Sequence, residues 1–287
     1  MRAWMLLYFA TIATAVAAVD VTQLWDFTNP VLSEQRFRSA LESATGDDAL
    51  ILRTQIARTY MLRKEFEAAR NELREMEPAV RTAGPEAQAR YWLEMGRSYA
   101  SHRHSPESQT PDSRQHARVA YEKALAIAKP AKLDALTVDV LHMFVFVDTA
   151  PADQLRWNLQ ALSVIDGSTD PETRRWEASI RNNTGEALVE LGRYDEALMH
   201  FRRMLALQEQ GTNAAATRDA HWQIARILRL QKRIDEALAI QLRIEREADA
   251  AQQPRDYIFE EIELLYRAKR QLDRAEHYAR RAKALGK

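Results

Sequence analysis

The chain has 287 residues, of which Gly and Pro together supply only 17, about half the usual share; this excludes a turn-rich β-sandwich, a collagen-like chain and a long disordered linker. Lys plus Arg and Asp plus Glu number 41 each, so no net charge advertises nucleic acid or a polyanionic tail. Cysteine is absent, which removes disulfides, thiolate zinc sites, iron–sulfur ligation and cysteine nucleophiles together.

The N-terminus reads as a leader. After Met1-Arg2, the stretch Ala3 to Ala18 carries no charge, has Leu6-Leu7-Tyr8-Phe9 at its heart, and ends in small residues, Ala15-Val16-Ala17. That is the layout of a secretory signal peptide over residues 1–17, too short for the roughly 20 apolar residues of a membrane span. An uncleaved anchor and a start assigned too early fit the same residues. Cleavage would remove one charged residue, Arg2, and leave a near-neutral chain with no membrane span. The expected location is periplasmic or secreted; the two alternatives make it membrane-anchored by the N-terminus or cytoplasmic. Residues 18–30 follow as a leader segment.

From about residue 31 onward, apolar residues recur at three- and four-residue spacings, as in Leu50, Ile51, Ile56, Ala57, Tyr60 and Met61, and no long stretch alternates with period two. Pro30, Pro78, Pro85, Pro130, Pro151, Pro171 and Pro254 are expected at helix boundaries. Ser33, Phe37 and Ala40 have the spacing of a lone helix. Beyond them the pattern repeats. Ala57, Gly96, Gly185, Ala225 and Glu263 form one series, and Ala69, Ala117, Ala197, Ala237 and Ala275 a second. The second follows the first by 12 residues in four of the five cases. The exception, Gly96 to Ala117, contains the polar, proline-bearing stretch 102–113, which reads as an inserted loop. Leu73, Tyr121, Phe201, Gln241 and Ala279 stand four residues after the second series. A small residue lets two helices approach, and a large one fills the groove beside it.

The segments Asn182-Asn183-Thr184-Gly185-Glu186-Ala187-Leu188 and Leu191-Gly192-Arg193-Tyr194-Asp195-Glu196-Ala197-Leu198, with Phe201, and Trp92-Leu93-Glu94-Met95-Gly96-Arg97-Ser98-Tyr99, resemble the tetratricopeptide repeat family. The resemblance covers residues 31 to 285. It departs in a period of 38 to 40 instead of 34, in missing closing prolines, and at Gln241 and Ala279, where the family is normally aromatic. It implies an all-α fold, a right-handed α-solenoid of antiparallel helix pairs, over residues 31–287. Five repeats are recognisable, a sixth degenerate one is expected at 133–166, and a half repeat precedes them all.

Two-helix repeats bury their apolar stripes only by stacking, and the product is a long curved surface rather than a deep interior. The resemblance implies that first helices line the concave wall. On that wall Arg58, Arg97, Asn182, Glu186, Trp222, Arg226 and Arg229 are the candidate peptide-binding residues. Arginine supplies forked donors for carboxylates, asparagine can hold a peptide backbone, and Trp222 offers a flat anchor. The four arginines are expected to meet an acidic or C-terminal segment of a partner protein, although solvated arginines on such an array need no ligand. The family's lysine- and asparagine-based clamp is not reproduced.

Other constellations are weaker. His102, His104 and His116 flank the insertion and read as a solvated loop rather than a metal site, and no metal or other cofactor is expected. Glu260, Glu261 and Glu263 read as structural ion-pairing groups on one helix. The basic residues of the last helix, Arg274, Arg280, Arg281 and Lys283, read as a soluble cap instead of a nucleic-acid or lipid contact. No G-x-S-x-G, H-E-x-x-H, phosphate-binding or dinucleotide loop is present. The expectation is a non-catalytic interaction scaffold. An enzyme with an unrecognised site, and a cytosolic regulator taking a small peptide, are the rivals.

Overall fold

The computed structural model describes residues 19–286; the expected signal peptide at 1–17 lies outside them. Among the described residues there is no strand. The helices are α1 (Pro30–Leu41), α2 (Gly46–Leu62), α3 (Phe66–Val80), α4 (Pro85–Arg97), α5 (Pro111–Ala128), α6 (Asp134–Met143), α7 (Pro151–Gly167), the single turn α8 (Pro171–Arg174), α9 (Glu177–Glu190), α10 (Tyr194–Gln208), α11 (Ala214–Leu230), α12 (Ile234–Ala250), α13 (Asp256–Ala268) and α14 (Leu272–Leu285). Each packs on its neighbours in sequence, and first helices also touch the first helix of the next pair, as α2 touches α4 and α11 touches α13. The result is a solenoid of six antiparallel pairs: α2/α3, α4/α5, α6/α7, α9/α10, α11/α12 and α13/α14. The degenerate repeat is α6/α7.

Proline marks most helix starts because its missing N–H falls where no intrahelical bond exists. Pro30, Pro85, Pro111, Pro151 and Pro171 all occupy the first helical position. Pro78 departs from expectation: it sits inside α3, in the last turn before Val80. The missing N–H of Pro78 removes one bond, to the Arg74 carbonyl, near the end of the helix; the Arg81 N–H still reaches the Glu77 carbonyl at 3.3 Å, and the helix closes there without being broken earlier.

The two repeated series form the hairpin interiors. Ala57, Ala69, Ala117, Ala197, Ala225, Ala237 and Ala275 are fully buried. Gly185 faces the ring of Phe201, and a Cβ there would lie 2.5 Å from Cζ. Gly96 faces Tyr121 in the same way, and the Tyr121 hydroxyl donates to the Ala100 carbonyl at 2.6 Å. Seven residues after the first series, Lys64, Gly192, Lys232 and Arg270 all adopt positive φ. The next N–H then reaches back to the helix, as Glu65 does to Tyr60 at 2.9 Å and Arg193 to Leu188 at 2.8 Å. This left-handed cap turns the chain from first helix to second.

The half repeat is α1, which buries Ser33 and Phe37. Residues 19–29 lie where its missing first helix would be. Val19, Val21, Leu24 and Trp25 pack on Phe37, Leu52 and Ile56, and Trp25 Nε1 donates to Gln55 Oε1 at 3.1 Å. The inserted stretch between α4 and α5 is a loop with one 3₁₀ turn at Pro106–Ser108. It is not wholly solvated. His104 is buried, stacks on Phe66 at 3.8 Å, and bonds Ser101 and the Ser98 carbonyl. Phe66 opens α3 and needs an apolar cover, which the imidazole supplies. At the far end α14 buries only Ala275 and Ala282, as suits a capping helix.

Candidate functional site

The groove along the first helices opens in the C-terminal half. In the first two repeats the wall positions Ile51, Thr54, Met61, Leu93, Arg97 and Ala100 are all buried. In the last three, a groove of about 680 Å³ opens between α9, α11 and α13. Ser179, Asn182, Asp219, Trp222 and Tyr257 line it from the expected wall positions, and Ala178, Met204, Gln208, Ala216, Gln223 and Arg175 complete it.

Trp222 is the fixed element. Its Nε1 donates to the Tyr257 carbonyl at 3.1 Å, its ring meets the Tyr257 ring edge-on at 5.3 Å, and the Arg226 guanidinium lies 5.7 Å from its centroid. The Tyr257 hydroxyl donates to Asp219. Burial and that carboxylate hold the phenol above its ordinary pKa. Asn182, which lines the groove, accepts from Gln223 through Oδ1 at 3.3 Å, and its amide nitrogen has no partner among the described residues.

The structure separates the seven candidates. Asn182 and Trp222 line the groove. Glu186 stands beside it and receives Arg226 Nη1 at 2.8 Å and the Gln223 amide. Arg229 is a fork on Glu261, with Nη2 to Oε2 at 3.1 Å. Arg97, expected on the open wall, is 7% exposed and is held by Glu94 and Asp139. Burial works against its charge, but the carboxylates of Asp139 and Glu94 outweigh that and raise its pKa. The same guanidinium, with Arg58, keeps the buried Asp139 carboxyl below its ordinary range. Arg58 lies 4.0 Å from Glu94 and 3.9 Å from Asp139, beneath the rings of Trp25 and Phe27. Burial, then Arg97, lowers its pKa.

The sequence reading missed the partners of these arginines. Asp139, Glu186 and Glu261 each stand about one repeat from the arginine they meet, whereas Glu94 is three residues before Arg97 on the same helix; Arg97 and Asp139 are 42 residues apart, Glu186 and Arg226 40, and Arg229 and Glu261 32. Opposite charges one period apart were the available signal. No cluster of three or more metal-ligating side chains occurs among the described residues, and no described helix is long and apolar enough to cross a membrane.

The tetratricopeptide repeat family model matches residues 176–245, a quarter of the chain. No curated protein matches the sequence. Among solved structures, the signal transduction ATPase with numerous domains with a tetratricopeptide repeat sensor, PH0952 from Pyrococcus horikoshii, is similar at a TM-score of 0.67 and 13% identity over 89% of this chain and 39% of that one. The chain therefore spans well under half of that ATPase. The apo form of RapI is similar at 0.64 and 15% identity, over 92% of this chain and 73% of RapI. NprR, solved in complex with its cognate peptide NprX, is similar at 0.53 and 12% identity, over 91% and 76%. At these identities the likeness is one of fold. The matched stretch begins at Trp176, just before α9, and ends in α12; over it the chain is similar to the tetratricopeptide repeat family, and the same stacking of helix pairs runs on both sides of it.

Proposed function

We propose that this chain is an exported, non-catalytic scaffold that holds a segment of a partner protein in the groove between α9, α11 and α13. The observation that carries the reading is the groove itself: an open site of about 680 Å³ with a pre-oriented tryptophan and an unpartnered amide, on rigid first helices. Sites of roughly 300–1,000 Å³ with a mostly apolar lining and a few placed polar groups are the usual form of a binding pocket. That NprR has been solved with its cognate peptide supports the same use of the fold. Export rests on the sequence of residues 1–17 alone.

Two experiments test it. A photo-crosslinking residue at Asn182 should capture a partner in cells, while the same residue at the exposed Met199, which does not line the groove, should not; capture at 199 alone overturns the groove. Mass spectrometry of the mature N-terminus should find residues 1–17 gone. An intact Met1 on soluble protein overturns export.

A further inference from the structure

The charges around the groove decide what kind of segment fits it. Every arginine expected to meet a carboxylate on a partner already holds one of this chain's own. Arg226 has Glu186 at 3.0 and 2.8 Å, and Arg229 has Glu261. A ligand carboxylate on either would replace one ion pair by another and leave the displaced glutamate without its cation, a loss that grows with burial. Within the lining itself Asp219 takes the Tyr257 hydroxyl, and Arg175 pairs with Glu172 on the exposed surface, where such a pair is worth little.

What remains unpaired is neutral. The Asn182 amide nitrogen, the Ser179 hydroxyl and the Gln208 side-chain amide have no partner among the described residues and all line the groove. Beside them stand Trp222, Met204, Ala178 and Ala216. We propose, resting on the groove reading above, that the occupant is an extended peptide segment without charged side chains. Its backbone bonds Asn182, Ser179 and Gln208, and one bulky apolar side chain seats against Trp222 and Met204. Neutral amides match backbone N–H and C=O groups, which must find partners when they leave water. The ring of Trp222, locked by its bond to the Tyr257 carbonyl, presents a face at no further ordering cost.

The test is an mRNA-display selection of random heptapeptides on the full-length processed protein, with Trp222→Ala as a parallel target. Enriched peptides are expected to lack Asp, Glu, Lys and Arg, to carry one aromatic or large aliphatic residue, and to be recovered about tenfold less on Trp222→Ala. The affinity of the best peptide should change less than about twofold between 50 and 500 mM NaCl, since screening acts on charge pairs. Asn182→Ala should weaken it about fivefold, one neutral hydrogen bond. Trp222→Phe, which keeps an aromatic face without the bond to the Tyr257 carbonyl, should lose clearly less than Trp222→Ala, which separates loss of the anchor from loss of the fold. Enrichment of charged peptides that depend on Trp222 and weaken in salt overturns this inference and leaves the groove standing. Peptides recovered equally on Trp222→Ala, or no enrichment on the parent protein, overturn both.

Discussion

Gln241 occupies in α12 the place that Phe201 fills in α10 and Tyr121 in α5. It is completely buried, and neither its amide nitrogen nor its oxygen has a partner. The reason lies across the hairpin. Phe201 and Tyr121 each face a glycine, whereas the position facing Gln241 is Ala225, whose methyl takes the space a ring would need. Buried polar atoms without partners cost roughly 1–3 kcal/mol. Gln241→Leu should therefore stabilise the protein by about 1–2 kcal/mol in urea unfolding, whereas Gln241→Phe should gain only when combined with Ala225→Gly. A neutral or destabilising Gln241→Leu would mean that the amide has a bonding role. Arg97 is the opposite case, a buried charge fully partnered. Arg97→Met leaves Glu94 and Asp139 facing each other, and should cost about 3–5 kcal/mol, more than truncation of Arg229, which is partly exposed.

At the scale of elements, the turn inside each hairpin carries its own prediction. Lys64, Lys232 and Arg270 hold the left-handed conformation that Gly192 holds at the equivalent place. A residue with a Cβ is strained there by about 1 kcal/mol. Lys64→Gly, Lys232→Gly and Arg270→Gly should each raise stability by about 0.5–1 kcal/mol, and Gly192→Ala should lower it by a similar amount. Thermal melting of the four variants decides it, and a uniform loss on glycine substitution would place the gain in the unfolded chain instead. These turns also explain what could be read in advance. The consecutive helix pairs were legible because small residues at fixed spacing and proline at helix starts are local signals. The wall positions of α9, α11 and α13 followed from the same spacing. Which of those positions stay open did not: Arg97, for one, is closed off by Asp139 of α6, a contact between helices that no periodicity within one helix records. The eleven residues 19–29 were unreadable for a related reason: they cover α1 and α2 with a single 3₁₀ turn at Val21–Leu24 instead of an α-helix.

Across the whole molecule, acidity acts through groups buried neutral. His104 and His142 both have pKa values lowered by burial, the second despite the nearby Asp139. His104 lies between Phe66, Ser98 and Ser101, with the Arg70 cation also opposing its charge. His142 bonds Asn183 of α9 through Nδ1 at 3.2 Å, and so joins the third repeat to the fourth. As pH falls below about 6.5, the ordinary histidine value, the unfolded chain takes up protons that the folded chain refuses, so stability present at neutral pH is lost on acidification. Each such group steepens the loss by up to about 1.4 kcal/mol per pH unit, until the folded pKa is reached. The buried carboxylates act in the same direction but later. Asp139 and Glu177, with pKa values lowered by their arginines against the opposing effect of burial, withhold their contribution only below the ordinary carboxylate range. The urea midpoint should fall between pH 7.5 and 5.5, and His104→Gln should flatten that fall while leaving the further drop below pH 4.5 intact. Because His142 ties the α6/α7 pair to α9 rather than closing one hairpin, the acid transition should loosen the junction of α6/α7 with α9 before it melts any of these helices. Hydrogen exchange at pH 5.5 should then rise first in the turns at residues 144–150 and 168–176, and exchange that rises first at α14 would assign the acid sensitivity to the open end of the solenoid instead.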